Sequence, residues 1–554
     1  MSSETANLLM NLMIAAPLIG VPLVLFMGNK QAKVMALLAS LIPFALSIFV
    51  YIYYLQNAGL ATADLMGNKP GPNFHNFVLF SLGDWWFQIP GWDMKFMTGV
   101  DGISIYLVML TTFLFPLTIY FSWGSVDKLE KPYYALLLIL EVGVIGFFLA
   151  LDLVLFYIFF EMVLIPMYFL IGIWGGKERI YASVKFFLYT LVGSLLMLVA
   201  IIWLGLHAAP VANDLYPALA QSITFTTDYH AILNAPVAGG AQMWLFLAFT
   251  VAFAIKVPLF PLHTWLPDAH TQAPTAGSVI LAGVLLKMGT YGLVRFCLPF
   301  FPEAAVDFAP VMCFLAVVGI IYGGMAAMVQ DDVKRLVAYS SVSHLGFIVL
   351  GIFSFTQEAL DGAIIQMVNH GITTGGLFLL VGMIYDRRHT RYIADFQGLA
   401  RQVPIFTMFF VITMLASVGL PGLNGFIGEF MVLMGAFDSG VVSGVWAVLA
   451  ASGVIVAAVY LLWMFRRVMF GELDKPENQA LKDLDTREVL VMVPLILLMF
   501  YFGFNSGPAT NKIDDSTEVL LERMQNPKIK TYSEEQRGEK PFVYPLASGQ
   551  QDNR

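Results

Sequence analysis

Long apolar segments, separated by short polar ones, run through most of the 554-residue chain. A membrane-spanning helix needs roughly 17–25 mainly apolar residues. By that measure the pattern predicts fourteen spans, which lie near residues 7–27, 34–55, 101–123, 133–150, 153–174, 183–206, 242–262, 273–299, 309–329, 336–355, 360–385, 404–437, 442–465 and 489–507. The chain is therefore predicted to be an all-α membrane protein with about fourteen transmembrane helices.

Composition agrees with this prediction and argues against several classes of function. Hydrophobic residues make up 58% of the chain and charged residues only 12%, whereas a soluble domain carries about 25% charged residues. The two cysteines, Cys297 and Cys313, form no CxxC pair, which argues against iron–sulfur, zinc and disulfide frameworks. No strand pattern and no glycine-rich phosphate loop are found, so nucleotide and flavin sites are not expected.

The distribution of lysine and arginine predicts how the chain is oriented. Loops after odd-numbered spans carry seventeen of these residues, and loops after even-numbered spans carry only Lys69 and Lys95. Because positively charged loops stay on the cytoplasmic side, the odd-numbered loops are predicted to face the cytoplasm and both termini the opposite side. Two long loops, 56–98 and 207–241, and the polar tail 508–554 are predicted on that opposite side, with a short surface helix at TEVLLERMQ.

Two predicted spans contain helix breakers. The seventh holds Pro258 and Pro261, and the twelfth holds the run GLPGLNGFIG around Pro421. A proline removes a backbone donor, and unpaired backbone at membrane depth is tolerated where it is buried in protein or lines a watery cavity. The breaks lie five helices apart, and an odd number of helices would invert the second copy, so the pattern predicts two inverted five-helix repeats.

The predicted domains are 1–132 for the N-terminal helices, 133–300 and 301–470 for the repeats, 471–507 for a loop and the last helix, and 508–554 for the tail.

Four charged residues interrupt the apolar segments: Glu161, Lys256, Lys287 and Glu429. A charge at the centre of a bilayer costs roughly 2.5–3.5 kcal/mol on insertion scales. A sequence that keeps two acids and two bases there is predicted to handle protons or other ions. Glu161 and Lys256 would form a pair in which moving the carboxylate lets the lysine release a proton. The alternative is a static buried ion pair that positions helices.

The other two charges and two histidines extend this prediction. Lys287 has no acid near it in sequence and is predicted to pass protons on, while Glu429 is predicted to be a terminal proton site or an ion ligand. The alternative for Glu429 is a hydrogen bond to the freed backbone of its own broken helix. His344 and His370 lie in neighbouring spans and titrate near neutral pH, which favours a proton relay; haem ligation and a structural role are the alternatives.

Several other polar residues are given lesser roles. Glu141 is predicted to lie deep in the membrane and to feed the same polar line, and Asp152 to be interfacial. The run PLHTWLPDAHTQAPT holds His263, Asp268 and His270, but their spacing fits no standard metal site. This run is therefore predicted to be a loop that plugs the end of the broken seventh helix.

Several long motifs resemble the antiporter-like membrane subunits of respiratory complex I, the NADH–quinone oxidoreductase. They are FFEMVLIPMYFLIGIWGGKERIYASVKFFLYTLVGS, FAIKVPLFPLHTWLPDAHTQAPTAGSVILAGVLLKMGTYGLVRF, DVKRLVAYSSVSHLGF, VNHGITTGGLFLLVG and GLPGLNGFIGEFMVL, and the likeness covers roughly residues 98–470. The resemblance implies fourteen helices with two inverted five-helix units, and a part in proton translocation. The residues that it implicates in proton transfer are Glu161, Lys256, Lys287, His344, His370 and Glu429.

The resemblance also carries expectations about cofactors and partners. It implies that this chain holds no cofactor and no redox site, and that other subunits hold NADH, FMN, iron–sulfur clusters and quinone. Expected neighbours are L-type and N-type sister subunits in a bacterial inner membrane, and no nucleic acid. The rival interpretations are a subunit of a sodium–proton antiporter, a purely structural membrane subunit, and a photosynthetic relative that takes electrons from ferredoxin.

Overall fold

The computed structural model describes residues 3–57, 79–81, 89–215 and 222–525. Within these ranges the chain is almost entirely helical, as predicted. The helices are α1 (Ser3–Phe26), α2 (Asn29–Asn57), α3 (Ser104–Phe121), α4 (Glu130–Leu149), α5 (Leu153–Trp174), α6 (Arg179–His207), α7 (Ala209–Leu215), α8 (Tyr229–Asn234), α9 (Gly239–Lys256), α10 (Trp265–Gln272), α11 (Thr275–Phe300), α12 (Pro302–Met328), α13 (Val333–Ile352), α14 (Gln357–Arg388), α15 (Leu399–Gln402), α16 (Pro404–Val418), α17 (Asn424–Phe437), α18 (Val445–Met469), α19 (Pro476–Gln479), α20 (Thr486–Phe504) and α21 (Gly507–Gln525). Most of the predicted loop 56–98 and the tail beyond residue 525 lie outside the described residues.

Fourteen candidate membrane spans can be assigned in the described part of the chain. Thirteen are helices of at least 18 residues that are apolar enough to cross a membrane, namely α1–α6, α9, α11–α14, α18 and α20. The fourteenth consists of the two shorter apolar helices α16 and α17, which together cover the predicted twelfth span. The prediction of about fourteen spans is therefore confirmed, whereas the predicted domain boundaries stay a prediction.

Short strands join the loops near one end of the bundle. β1 (Leu79–Ser81) pairs antiparallel with β3 (Thr98–Val100), and β2 (Trp92–Asp93) pairs in parallel with β4 (Phe225–Thr226). The sequence shows no strand pattern, because strands of two or three residues are too short to leave an alternating one.

The C-terminal helix α21 is longer than the predicted TEVLLERMQ segment and ties several spans together. The Ser516 hydroxyl accepts a hydrogen bond from the Gly102 backbone at 2.9 Å, and the Tyr54 hydroxyl of α2 donates to the Lys512 carbonyl at 3.3 Å. The Thr517 hydroxyl donates to the Asp361 carboxylate of α14. The helix therefore lies as a strap across the ends of α2, α3 and α14.

The seventh span is broken, as the prolines predict, but its second half is not a loop. Helix α9 ends at Lys256, and after a turn the half-helix α10 begins at Trp265. The Leu259 amide donates to the Ala254 carbonyl at 2.8 Å, and the Trp265 indole donates to the Ile255 carbonyl at 2.8 Å. These bonds satisfy carbonyls at the break, so the predicted plugging loop is instead a mostly buried half-helix fastened to the end of α9.

Helix α11 contains two wider turns and packs very closely on α9. Residues Leu281–Leu285 and Leu293–Cys297 are π-helical, a form that often marks functional sites. A Cβ atom added at Gly289 would lie 2.8 Å from both the Phe253 carbonyl oxygen and the Val257 amide nitrogen. Glycine at this position therefore lets the backbone of α11 touch the break in the seventh span.

Candidate functional site

Lys287 lies in the middle of α11 with no exposed surface. Its Nζ atom donates to the Ala282 carbonyl and lies 2.7 Å from His370 Nδ1 on α14. The two helices meet at glycines: a Cβ added at Gly371 would lie 2.7 Å from the Gly283 carbonyl oxygen. Because α11 and α14 approach so closely, a lysine and a histidine that are 83 residues apart share one hydrogen bond.

The rings of His370 and His344 are neighbours in the centre of the bundle. Their centroids are 5.9 Å apart and their planes are tilted by 57°, and both residues are at most 3% exposed. Each ring uses Nδ1 for a side-chain partner, whereas Nε2 of each has no hydrogen-bond partner among the described residues. A buried ring nitrogen normally bonds to protein or ordered water, so each ring keeps one nitrogen free for a further partner.

Glu429 continues the line beyond His344. Its Oε1 atom is 2.6 Å from His344 Nδ1, and the Gln366 side-chain amide donates to the same oxygen at 3.0 Å. Glu429 therefore bonds to side chains of α13 and α14, not to the freed backbone of its own broken helix, and that alternative is wrong.

Four of the six predicted residues thus form one buried line, which we call the central line. It runs from Lys287 through His370 and His344 to Glu429. Each member lies on a different helix, namely α11, α14, α13 and α17. Groups that donate and accept protons follow one another at hydrogen-bonding distance, with one gap between the two imidazole rings.

Glu161 and Lys256 lie outside the central line and do not form a close ion pair. Lys256 is 1% exposed, and its Nζ atom has no hydrogen-bond partner among the described residues. It lies 4.7 Å from the centre of the Phe160 ring, which offers a cation–π contact. Glu161 acts on it electrostatically, but no salt bridge within 4.0 Å joins them in the described part of the chain. The predicted pair is open in this structure.

His270 is a central residue that sequence reasoning assigned to a plugging loop. It is fully buried on α10 and stacks on the Phe378 ring, with centroids 4.6 Å apart. Both ring nitrogens have no hydrogen-bond partner among the described residues, and the charges that act on the ring are those of Lys334 and Lys287. The half-helix therefore brings a titratable ring near the start of the central line. The sequence signal that could have found it is a histidine close to the end of an interrupted span.

Asp152 lies at the end of a span, as predicted, but is completely buried. Its carboxylate caps α5 by accepting from the Val154 and Leu155 amides at 2.9 and 3.0 Å, and from the Thr227 hydroxyl at 2.7 Å. Burial raises the pKa of Asp152 to about 7, and the nearby Asp228 carboxylate adds to this rise. The hydrogen bonds oppose it but do not outweigh the loss of water.

This raised pKa makes a pH-dependent contribution to stability. Between its ordinary value of 3.8 and about 7, Asp152 holds a proton in the folded chain but not in the unfolded one. Its contribution therefore favours folding at the acidic end and is lost as pH rises through this range. We expect Asp152→Asn, which keeps an N-cap, to weaken the fall in thermal stability of the purified protein from pH 4 to pH 7. An unchanged pH profile would contradict this account.

Arg295 joins α11 to the start of α3 through a buried ion pair. One guanidinium nitrogen lies 2.6 Å from each carboxylate oxygen of Asp101, and the Tyr291 hydroxyl accepts from Arg295 Nε at 3.0 Å. Asp101 in turn caps α3 by accepting from the Ile103 and Ser104 amides. The pair therefore fixes the helix that carries the start of the central line.

Removing the arginine of this pair is expected to destabilise the protein strongly. Arg295→Ala leaves the Asp101 carboxylate buried without its cation, which typically costs about 3–5 kcal/mol. Thermal inactivation of the purified protein measures the loss, and Arg401→Ala, at an exposed site, is the matched control. If the two variants inactivate at the same temperature, the pair contributes nothing to stability.

Fold and site together define a helical membrane protein in which two broken spans adjoin a buried line of ionisable groups. A family model described as the transmembrane region of NADH:quinone oxidoreductase and Mrp antiporter proteins matches residues 150–470. Among curated proteins, NADH-quinone oxidoreductase subunit M of Rhodobacter capsulatus is 45% identical over 496 residues, covering 89% of this chain and 91% of the relative. Subunit M of Rickettsia typhi is 40% identical, covering 93% and 98%. The chain belongs to this family of NADH-quinone oxidoreductase membrane subunits.

A solved structure supports the same assignment at the level of fold. One chain of the respiratory complex I from Thermus thermophilus with bound NADH matches with a TM-score of 0.77 at 31% identity, covering 93% of this chain and all of that one. An archaeal membrane-bound sulfane sulfur reductase matches with a TM-score of 0.74 at 23% identity, which supports the fold alone. The described residues contain no group of three or more His, Cys, Asp or Glu side chains placed to hold a metal ion.

Proposed function

We propose that this chain is a proton-translocating membrane-arm subunit of an NADH:quinone oxidoreductase, and that the central line carries the protons. Membership of the family supports the parent activity. The observation that carries the residue assignment is the pair of contacts at the two ends of the line, 2.7 Å between Lys287 and His370 and 2.6 Å between His344 and Glu429. Both contacts are buried, so a proton moved along them does not enter lipid.

The proposed transfer begins at Lys287. A protonated lysine donates to His370 Nδ1, and the ring that gains this proton can release another from Nε2. A water between the two Nε2 atoms would carry it to His344, which then donates from Nδ1 to the Glu429 carboxylate. Each step breaks one N–H or O–H bond and forms another. The line is reset when Glu429 releases its proton, the two imidazole rings return to their starting tautomers and Lys287 takes a new proton.

Glu161 and Lys256 are proposed to control proton transfer at the Lys287 end of the central line. Lys256 lies at the break where α11 touches α9, next to the close contact of Gly289 with Val257. Closing the pair would stabilise the lysine ammonium, and opening it would favour release of its proton. In this proposal, the open pair seen in this structure is the arrangement that favours release of the proton from Lys256. His270 interacts electrostatically with Lys287. We propose that it lies on the path of the proton between Lys256 and Lys287.

The energy for transfer is proposed to come from redox chemistry in other subunits. NADH, FMN, iron–sulfur clusters and quinone would all lie outside this chain, which would hold no redox site. Its neighbours in the membrane arm would be L-type and N-type sister subunits. The bacterial relatives support a location in a bacterial inner membrane. The distribution of basic residues supports an orientation with both termini in the periplasm.

A sodium–proton antiporter subunit is the alternative, and the comparisons do not favour it. The family description names Mrp antiporters, but the matched relatives at 39–45% identity, from bacteria and from Chondrus crispus, are NADH-quinone or NADH-ubiquinone oxidoreductase chains. Sealed membrane vesicles that contain the protein separate the two. NADH-driven proton pumping that persists in sodium-free buffer supports the proposal, and sodium-driven proton movement without NADH or quinone contradicts it.

Lys256→Ala tests whether the chain is merely structural. We expect the variant complex to assemble but to pump few protons per NADH oxidised, because the switch has lost its cation. Ser452→Ala, at an exposed hydroxyl on α18, is the matched control in the membrane. Normal pumping by an assembled Lys256→Ala complex would support a purely structural subunit.

A further inference from the structure

We propose that Glu141 is a second proton-binding carboxyl of this chain, connected to the α21 end of the bundle by a file of hydroxyl groups on α2 and α3. The inference rests on the proposed proton-translocating function. It adds a carboxyl group that bonds to Ser40 and, among the described residues, to no member of the central line. The ligand is a proton, which would reach the carboxylate as water or hydronium and leave the same way, so that one O–H bond forms and one breaks.

The Glu141 carboxyl group is buried at membrane depth and has one oxygen atom available to hold a proton. Glu141 has no exposed surface, and it lies in the middle of α4, eleven residues from the first helical residue. Its Oε1 atom accepts a hydrogen bond from the Ser40 hydroxyl at 2.9 Å, whereas Oε2 has no partner among the described residues. An ionised carboxylate at membrane depth without a cation is costly, so the group is stable when it carries a proton on one of its oxygens.

A row of hydroxyl groups leads from Glu141 along one face of α2. The row consists of Ser40, Ser47, Tyr51 and Tyr54, whose spacings of seven, four and three residues keep them on one side of a helix. Ser40 bonds to Glu141, Ser47 bonds to Thr112 at 2.8 Å, Tyr51 bonds to Tyr106 at 3.3 Å, and Tyr54 bonds to the Lys512 carbonyl at 3.3 Å. The row therefore ends beneath the strap helix α21.

Two prolines add free acceptors beside this row. Pro43 lies inside α2 and Pro116 inside α3. A proline leaves the carbonyl four residues earlier without its helical donor, which here affects Ala39, adjacent to Ser40, and Thr112, the partner of Ser47. Freed carbonyls in membrane helices are commonly satisfied by hydroxyl groups and ordered water. Hydroxyls and carbonyls together could hold a chain of water across the half-membrane from Glu141 to Tyr54.

This hydroxyl file lies on the side of α4 that faces away from Glu161. Gly143, two residues after Glu141, packs against Val163 of α5, where an added Cβ would lie 2.8 Å from a Val163 methyl group. Two residues correspond to about 200° around a helix, so Glu141 points away from α5 and toward α2. The file and the Glu161 side chain therefore lie on opposite sides of α4.

The test is made on the assembled complex in sealed vesicles, with Glu141→Gln and Ser47→Ala variants. Infrared difference spectra between resting and NADH-energised vesicles report a protonated carboxyl group by a signal that shifts in deuterium oxide. We expect Glu141→Gln to lose such a signal and to pump fewer protons per NADH. Ser47→Ala interrupts the file without touching the carboxyl, so it should keep the signal and lower pumping. Ser452→Ala is the control that changes neither.

The outcomes separate this inference from the proposed function. If Glu429→Gln stops pumping while Glu141→Gln and Ser47→Ala pump normally with an unchanged carboxyl signal, the file is structural and the inference is overturned alone. If Glu429→Gln also pumps normally, the proposed function fails with it. If Glu141→Gln does not assemble, Ser47→Ala still decides, since reduced pumping supports the file and normal pumping overturns it.

Discussion

Lys287→Ala is expected to slow proton translocation by roughly 10²–10⁴-fold, the range by which positioned proton-transfer groups accelerate such steps. Lys287 is the group that delivers a proton to His370, across 2.7 Å in a site with no exposed surface. No other donor among the described residues bonds to His370 Nδ1, so alanine leaves that atom without one. The measurement is the rate of NADH-driven proton translocation in sealed vesicles, with complex assembly verified on native gels.

Lys287→Arg distinguishes the role of the positive charge at this position from the role of a proton that can be released. Arginine keeps the positive charge and can bond to the Ala282 carbonyl, but it does not release a proton in proteins. We therefore expect this variant to assemble as well as the parent and still to pump poorly. Pumping at parental levels by either variant would mean that Lys287 is not a proton carrier.

Glu429→Gln is the second change with a large expected effect. The amide has nearly the same shape and can still bond to His344 and Gln366, so the packing of α17 is retained. It cannot take a proton, and the transfer from His344 Nδ1 across 2.6 Å then has no acceptor. Pumping should again fall by roughly 10²–10⁴-fold, without loss of assembled complex on native gels.

Gln366→Leu is the matched control for this residue. It removes the 3.0 Å hydrogen bond to Glu429 Oε1 but leaves the carboxylate and His344 in place. A hydrogen bond to a charged group contributes about 1.5–3 kcal/mol, so we expect a moderate effect on pumping that is clearly smaller than that of Glu429→Gln. Equal losses from the two variants would mean that the arrangement around the carboxylate matters more than its proton.

The sequence was sufficient to predict the spans and the identity of most buried charges. Membrane helices leave a strong apolar signal, and a charge inside such a segment stands out because burying it is costly. Proline marked the broken spans for an equally local reason, the loss of a backbone donor at Pro258 and Pro421. These are features of single segments, and they need no knowledge of how helices pack.

The contacts within the site could not be predicted in this way. Lys287 meets His370 because α11 widens into a π-helical turn and because Gly283 and Gly371 let two backbones touch. Neither event has a signature in a single segment. For the same reason the sequence could not show how far apart Glu161 and Lys256 lie, and the burial of His270 became visible only with the half-helix α10.

The central claim is that Lys287 and Glu429 act in one line, and a double-mutant cycle on proton pumping tests it most directly. If both residues carry the same proton, removing the second after the first costs nothing more, so effects of residues that act as a unit are not additive. We predict that the Lys287→Ala, Glu429→Gln double variant pumps no more slowly than the worse of the two single variants. Losses that multiply in the double variant would show two independent routes and contradict the account.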